Sequence, residues 1–318
     1  MRKLAAYFVG SALLASLGYL FLGIWLFTPR DRERAGAFED AFVDARDPYR
    51  LYMNTSATLP PVGGAIRHYK SLLDNEPVTL RCSSCAVVSS SGFLLGKEAG
   101  QEINSHPCTI RMNMAPVEGY QRDVGNRTTL RVMNFFMTGL KPEELPSGSR
   151  VMVWGLFRRS VYLERARNLT GRLSAVSTFH GQTVEGEGEA AKLFTKETGQ
   201  PLGGTKSWLS TGWLTLMIAI DVCQEIHVYG MVTADHCAHN PQKDFPYHYY
   251  NNRGKECSIY RGAELNKRGG HRFMTEKAVF ARWALRYNIS FHYPEWELDK
   301  ALANLDTPFL KNQGRRPS

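Results

Sequence analysis

Leu4 to Phe27 is a 24-residue run without a single charge, and no comparable run follows it. As a helix it would be roughly 36 Å long at about 1.5 Å per residue, enough to cross a hydrocarbon core of about 30 Å with some tilt. A cleaved signal peptide has a shorter apolar core, about 7 to 15 residues, and ends in a small-residue site. Here the run ends in Trp25-Leu26-Phe27. The expectation is an uncleaved anchor at residues 4–27 behind a short tail, residues 1–3. Flanking charge does not orient it, because Arg2 and Lys3 precede the span and Arg30 to Arg34 carry a net +1 after it.

Two other features place the bulk of the chain on the oxidising, glycosylating side of a membrane. Asn-x-Ser/Thr sequons stand at Asn54, Asn126, Asn168 and Asn288. Six cysteines, Cys82, Cys85, Cys108, Cys223, Cys237 and Cys257, all follow residue 81. In such a compartment an even count reads as three disulfides, and the count alone leaves fifteen pairings open. Cys82-x-x-Cys85 also has metal-like or redox-like spacing, but the nearest second pair, Cys237-Ala-His239, is poorly spaced for zinc. The net charge of +9 is scattered with no basic block, so a nucleic-acid partner is not expected.

Residues 28–77 carry charge clusters, Pro60-Pro61 and Gly63-Gly64 with weak periodicity, which reads as a stem, partly helical between Arg34 and Ala45. From Val78 onward strand-like and helix-like segments alternate. Ala86–Val88, Ile110–Met112, Leu130–Met133, Val151–Trp154 and Ile226–Tyr229 read as strands; Gly212–Cys223 reads as a buried helix capped by Leu209-Ser210-Thr211, and Glu276–Tyr287 as another helix. Val184–Ala190, an alternating Gly-Glu stretch, reads as a solvated loop. This alternation implies an α/β domain with a mostly parallel sheet flanked by helices, whose ligands bind beyond the carboxyl ends of the strands.

The small-residue turn Ser89–Gly92 and the cap Ser210-Thr211-Gly212 are therefore candidate phosphate sites, since backbone N–H groups and a helix dipole favour an anion there. Near the C-terminus, His248 within Pro246-Tyr247-His248-Tyr249-Tyr250 and His271, five residues before Glu276, are candidate proton-transfer groups. There is no Gly-x-Ser-x-Gly, no His-Glu-x-x-His and no Asp-x-Asp. A transferase of sugar nucleotides lacking Asp-x-Asp is expected to work without a metal.

Cys85-Ala-Val-Val-Ser-Ser-Ser-Gly92, running on through Arg111–Pro116 and Asp123–Thr129, resembles the large sialyl motif of animal sialyltransferases. Leu209–Trp213 through Cys223 and Val228–Met231 resemble the small motif, Tyr247–Tyr250 the third and His271-x-x-x-x-Glu276 the very small one, all in order over residues 78–296. Lys196–Gly199, Trp208–Trp213 and His271–Lys277 most resemble the short-stem N-acetylgalactosaminide alpha-2,6-sialyltransferases, subtypes III to VI, with a leaning to V and VI.

The resemblance implies a single Rossmann-like, GT-A-type catalytic domain over residues 78–318, in a single-pass type II protein of the Golgi membrane. It implies transfer of sialic acid from CMP-sialic acid to the 6-hydroxyl of N-acetylgalactosamine in a sialylated glycolipid or glycoprotein. No cofactor is implied, and homodimerisation stays open. His271 is implied as general base and His248 as donor to the leaving phosphate. Ser90, Asn113, Ser210, Thr211 and Gly212 are implied as donor-binding residues, with Tyr247 and Tyr249 shaping the pocket. Ser90 departs from an asparagine common in the family. Glu276 is expected to cap its helix rather than to orient His271, and residues 135–206 to line the acceptor pocket. The same analogy pairs Cys85 with Cys223 and Cys237 with Cys257, which leaves Cys82 to Cys108. A silent sialoglycan-binding or adhesion ectodomain on this fold is the alternative, and it would have no need of the two histidines.

Overall fold

The computed structural model describes residues 65–135, 145, 147–202, 207–240, 244–266, 269–299 and 303–313. The expected anchor, the helical part of the stem and Asn54 lie outside these. Among the described residues no helix is long and apolar enough to cross a membrane.

The strands are β1 (Ala65–Ser71), β2 (Pro77–Thr79), β3 (Cys82–Val88), β4 (Cys108–Met112), β5 (Leu130–Asn134), β6 (Arg150–Trp154), β7 (Thr178–Gln182), β8 (Cys223–Tyr229) and β11 (Ile289–His292), with a separate hairpin of β9 (Pro246–His248) and β10 (Asn251–Lys255). The helices that matter for the site are α1 (Gly100–Ser105), α2 (Ser160–Leu173), α3 (Val184–Thr198), α4 (Thr211–Val222), α5 (Glu256–Leu265) and α6 (Phe273–Arg286).

Nine strands form one sheet in the order β11-β8-β3-β4-β5-β6-β7-β1-β2. β11 through β7 are parallel, and β1 and β2 add an antiparallel edge. The chain steps from β3 one way through β4 to β7, then crosses back to lay β8 on the other side of β3. Such a reversal opens a crevice above the carboxyl ends of the strands on either side of it.

Strand residues alternate between two apolar layers, as the pleat requires. Cys85, Val87, Val132 and Met152 face a core completed by α3, α4 and α6, where Trp213 packs against Trp283 at 4.7 Å and Phe194 at 5.5 Å. Ala86 and Val88 face α1, and Val151, Val153 and Phe179 face α2. α4 is apolar on nearly every side because the sheet covers one face of it and α3 and α6 pack on the other.

Two sequence expectations need correction. The stem does not run to residue 77: Ala65–Ser71 is already sheet, paired with β7 and tied to α4 by Arg67 on Asp221 at 2.7 Å. Val184–Ala190 is not a loop but the opening of α3. Thr183 accepts the Gly186 N–H at 3.1 Å as its cap, and Glu185 and Glu187 sit favourably in the first turn.

Three disulfides join Cys82 to Cys108, Cys85 to Cys223 and Cys237 to Cys257. The first two tie β3 to both of its neighbours, and no free thiol remains for a metal or a redox pair. Asn126, Asn168 and Asn288 are all exposed.

Candidate active site

A cavity of about 260 Å³ lies at the sheet reversal, over the carboxyl ends of β3, β4, β5 and β8. Ser90, Asn113, Ser210, Thr211, Gly212, Tyr247, His248 and His271 all line it, although they are spread along more than half the chain. Tyr249 does not. Its ring is buried against Tyr120, and its hydroxyl donates to the Pro116 carbonyl at 2.6 Å, so it props the turn after β4 from behind.

Each wall is fixed by local chemistry. The Ser89 hydroxyl donates to the Gly230 carbonyl at 2.8 Å and stitches the ends of β3 and β8 together. Gly230 has φ +77°, and a Cβ there would meet Leu94 Cγ at 2.5 Å, so only glycine fits. Asn113 sits in the left-handed region at φ 49°, which asparagine tolerates better than most residues. Arg131 holds that turn by donating to the Asn113 and Ala115 carbonyls at 2.6 and 3.1 Å. Asn113 Oδ1 accepts from the Asn134 N–H and the Thr211 hydroxyl, both at 3.3 Å, which leaves its amide N–H groups for a ligand.

The first turn of α4 forms the facing wall. Ser210 accepts the Trp213 N–H at 3.2 Å as its cap, while helix geometry leaves the Thr211 and Gly212 amides without an i−4 carbonyl. Glu276 holds this cap from α6: it accepts the Ser210 N–H at 3.0 Å and the Ser210 hydroxyl on its other oxygen. It makes no bond to His271. Burial pushes its carboxyl up to about 8.

The two histidines are held in different tautomers. His271 Nδ1 lies 3.0 Å from the Trp208 carbonyl and must carry a proton to donate there, so Nε2 holds the lone pair. That lone pair accepts the Trp208 indole N–H at 3.0 Å. Burial drives the His271 imidazolium down to about 4, so the ring is neutral at physiological pH. At His248 the Asn251 amide donates to Nδ1 at 3.2 Å, which puts the proton on Nε2. Burial lowers its affinity for a second proton too, and Tyr250 stacks on the ring at 4.9 Å.

Beneath the cavity lies a charged layer that sequence reasoning missed. The Glu256 carboxylate accepts from the Ser91 and Tyr260 hydroxyls, and the Lys277 ammonium donates to the Val232 carbonyl at 2.7 Å while resting 4.4 Å above the Tyr260 ring. Burial raises the acid and lowers the amine, and the attraction between them opposes both shifts. Lys277, a charge at the head of the apolar run Ala278–Phe280, was the one sequence signal of it.

The sequence matches glycosyltransferase family 29 (sialyltransferase) over residues 36–150 and 189–284. This chain is a family 29 sialyltransferase. It is 39% identical over 241 residues to alpha-N-acetylgalactosaminide alpha-2,6-sialyltransferase 6 of Mus musculus, covering 72% of each chain. It is 38% identical over 255 residues to a Homo sapiens protein named alpha-N-acetyl-neuraminyl-2,3-beta-galactosyl-1,3-N-acetyl-galactosaminide alpha-2,6-sialyltransferase, covering 76% of this chain and 84% of that one. The crystal structure of a mammalian sialyltransferase overlays at a TM-score of 0.43 and 23% identity, covering 67% of this chain and 69% of that one. In this sialyltransferase the sheet reversal gathers site residues from the ends of β3, β4, β5 and β8 and from the turns before α4 and α6, and the β9–β10 hairpin adds Tyr247 and His248.

Proposed function

We propose that this enzyme transfers sialic acid from CMP-sialic acid to the 6-hydroxyl of N-acetylgalactosamine, with inversion and without a metal, in glycans such as Neu5Ac-α2,3-Gal-β1,3-GalNAc on gangliosides or O-glycans. The observation that carries this reading is the pairing of an Nδ1-protonated, neutral His271 with an Nε2-protonated His248 and the α4 amides around one cavity. The linkage and the sialylated acceptor are supported by the names of the relatives.

The acceptor oxygen attacks the anomeric carbon from the face opposite CMP. Its proton passes to His271 Nε2, so the attacking hydroxyl takes the place of the Trp208 indole on that atom. As the bond from carbon to phosphate oxygen breaks, charge grows on the departing phosphate, where the His248 N–H and the Thr211 and Gly212 amides can meet it. The absence of an Asp-x-Asp motif fits a leaving group stabilised by such donors. We place the reaction in the Golgi lumen, with a GT-A-type domain tethered by residues 4–27 as a type II protein; the three disulfides and the exposed sequons support that side.

The test is a product assay on the full-length chain made in a eukaryotic host, with CMP-sialic acid, EDTA, and lipid- or peptide-linked acceptors that bear or lack the α2,3-linked sialic acid. The expected product is disialylated with a new α2,6 linkage to GalNAc. His271→Ala is expected to lose about 10²- to 10⁴-fold in turnover. A wild-type chain that binds CMP but transfers to no acceptor would sink the reading in favour of a silent binding domain.

A further inference from the structure

β6 ends at Trp154 and the chain turns at Gly155, whose left-handed φ of 77° and a Cβ clash with the Phe135 ring at 2.5 Å fix the turn as glycine. The turn Leu156–Arg158 then projects from the carboxyl edge of the sheet, on the side away from β8. The Glu187 carboxyl on α3 lies against this turn, where the Phe157 and Gly155 backbone and the Arg158 charge oppose the upward push of burial on it. Arg158 at its tip is exposed. Its guanidinium lies 5.2 Å above the Trp208 ring, and that ring meets His271 edge-on at 5.5 Å. The charge is felt at His271, where, after burial, it helps to keep the imidazole neutral.

Among the described residues no carboxylate is in ion-pair contact with Arg158. An exposed guanidinium 5.2 Å from an indole, on a turn near the base, carries the fork of donors that suits a carboxylate. The donor walls lie at β3, β4 and α4, so an anion at Arg158 belongs to the other substrate.

We propose that Arg158 binds the carboxylate of the sialic acid already present on the acceptor, and that this contact selects sialylated over unsialylated glycans. The inference rests on the functional reading above. With the GalNAc 6-hydroxyl on His271 Nε2, that carboxylate lies two sugar rings away, on the scale of the two ring contacts that separate His271 from Arg158. An acceptor lacking it leaves the guanidinium solvated, at no gain.

The experiment compares the full-length wild type with Arg158→Ala and Arg158→Lys on three acceptors: Gal-β1,3-GalNAc, its α2,3-sialylated form, and the carboxyl methyl ester of that form. Arg158→Ala is expected to lower kcat/KM for the sialylated acceptor about 10- to 100-fold relative to that for the unsialylated one, the loss lying in the KM for the sialylated acceptor and not in the KM for the donor. Lysine should restore part of the loss, because it keeps the charge without the fork. The methyl ester should behave with the wild type as the free acid does with Arg158→Ala. An equal loss on all three acceptors, or none on the sialylated one, overturns the assignment while leaving the activity in place. A wild type that transfers to none of them overturns the functional reading, and this inference falls with it.

Discussion

His271 presents its lone pair on Nε2 only because the Trp208 carbonyl claims the proton on Nδ1, and the same tryptophan then covers that lone pair with its indole N–H. In the mechanism proposed above the indole therefore competes with the acceptor hydroxyl. Trp208→Phe keeps the ring under Arg158 and the carbonyl on Nδ1 but removes the competing donor. One such hydrogen bond is worth about 0.5 to 1.5 kcal/mol, so kcat/KM for the acceptor should rise about two- to tenfold. A tenfold fall would show instead that the indole N–H works with the substrate. His271, His248 and the Ser210 cap were legible in the sequence because each stands in a short motif. Glu256, Lys277, Trp208 and Arg158 were not, because their roles come from neighbours far along the chain, as when Ser91 meets Glu256 across 165 residues.

At the scale of elements, α4 depends on a carboxyl from α6. Glu276, pushed up to about 8 by burial, holds a proton in the fold that the unfolded chain gives up near its ordinary value of 4.5. Its contribution to stability is therefore full below about pH 4.5 and is lost as pH rises toward 8. Glutamine keeps Oε1 as acceptor for the Ser210 N–H and meets the Ser210 hydroxyl with the direction reversed, an amide N–H donating to the hydroxyl oxygen, without titrating. Thermal midpoints of Glu276→Gln should match wild type near pH 5 and exceed it at pH 8. Parallel curves for the two proteins would contradict the assignment.

α3 offers a sharper comparison. Gly186 faces β1, and a Cβ there would come within 2.4 Å of His68 Cβ, whereas Gly188 has nothing within 4 Å. Gly188→Ala should stabilise by about 0.5 to 1 kcal/mol through helix propensity, while Gly186→Ala should destabilise by about 1 to 3 kcal/mol through overpacking. Denaturant midpoints of the two variants decide it, and a shift in the same direction for both would refute the packing account. The alternation that read as a loop is thus a helix whose glycines answer to different surroundings. β1 was hidden for a related reason. His68 adopts φ 64° beside a register shift, so Ile66 and Tyr69, three apart, both turn inward and the period of two never shows.

For the whole molecule, the alternation of strands and helices was enough to foresee a parallel sheet and a site beyond its carboxyl ends, because buried parallel strands read as short apolar runs. The edge strands were not foreseen, since half their residues face water and their pairing lies in distant sequence. Cys85–Cys223 closes a separation of 138 residues and joins the middle of β3 to the first residue of β8, away from the strand ends that line the cavity. Replacing both cysteines with serine should cost about 2 to 5 kcal/mol and sharply lower the yield of folded, active full-length chain. Undiminished yield and turnover would show that the bridge is dispensable.

The order of the sheet also bears on descent. The walls assigned to the donor stand at β3, β4, β5, β8 and α4, while the turn that carries Arg158 leaves β6, farther along the same edge. Insertions or exchanges in that turn would leave the stitched ends of β3 and β8 untouched. A lineage built this way could keep one sugar nucleotide through every duplication and diversify by redrawing a few residues after β6, each redrawing yielding a new acceptor preference on an inherited engine.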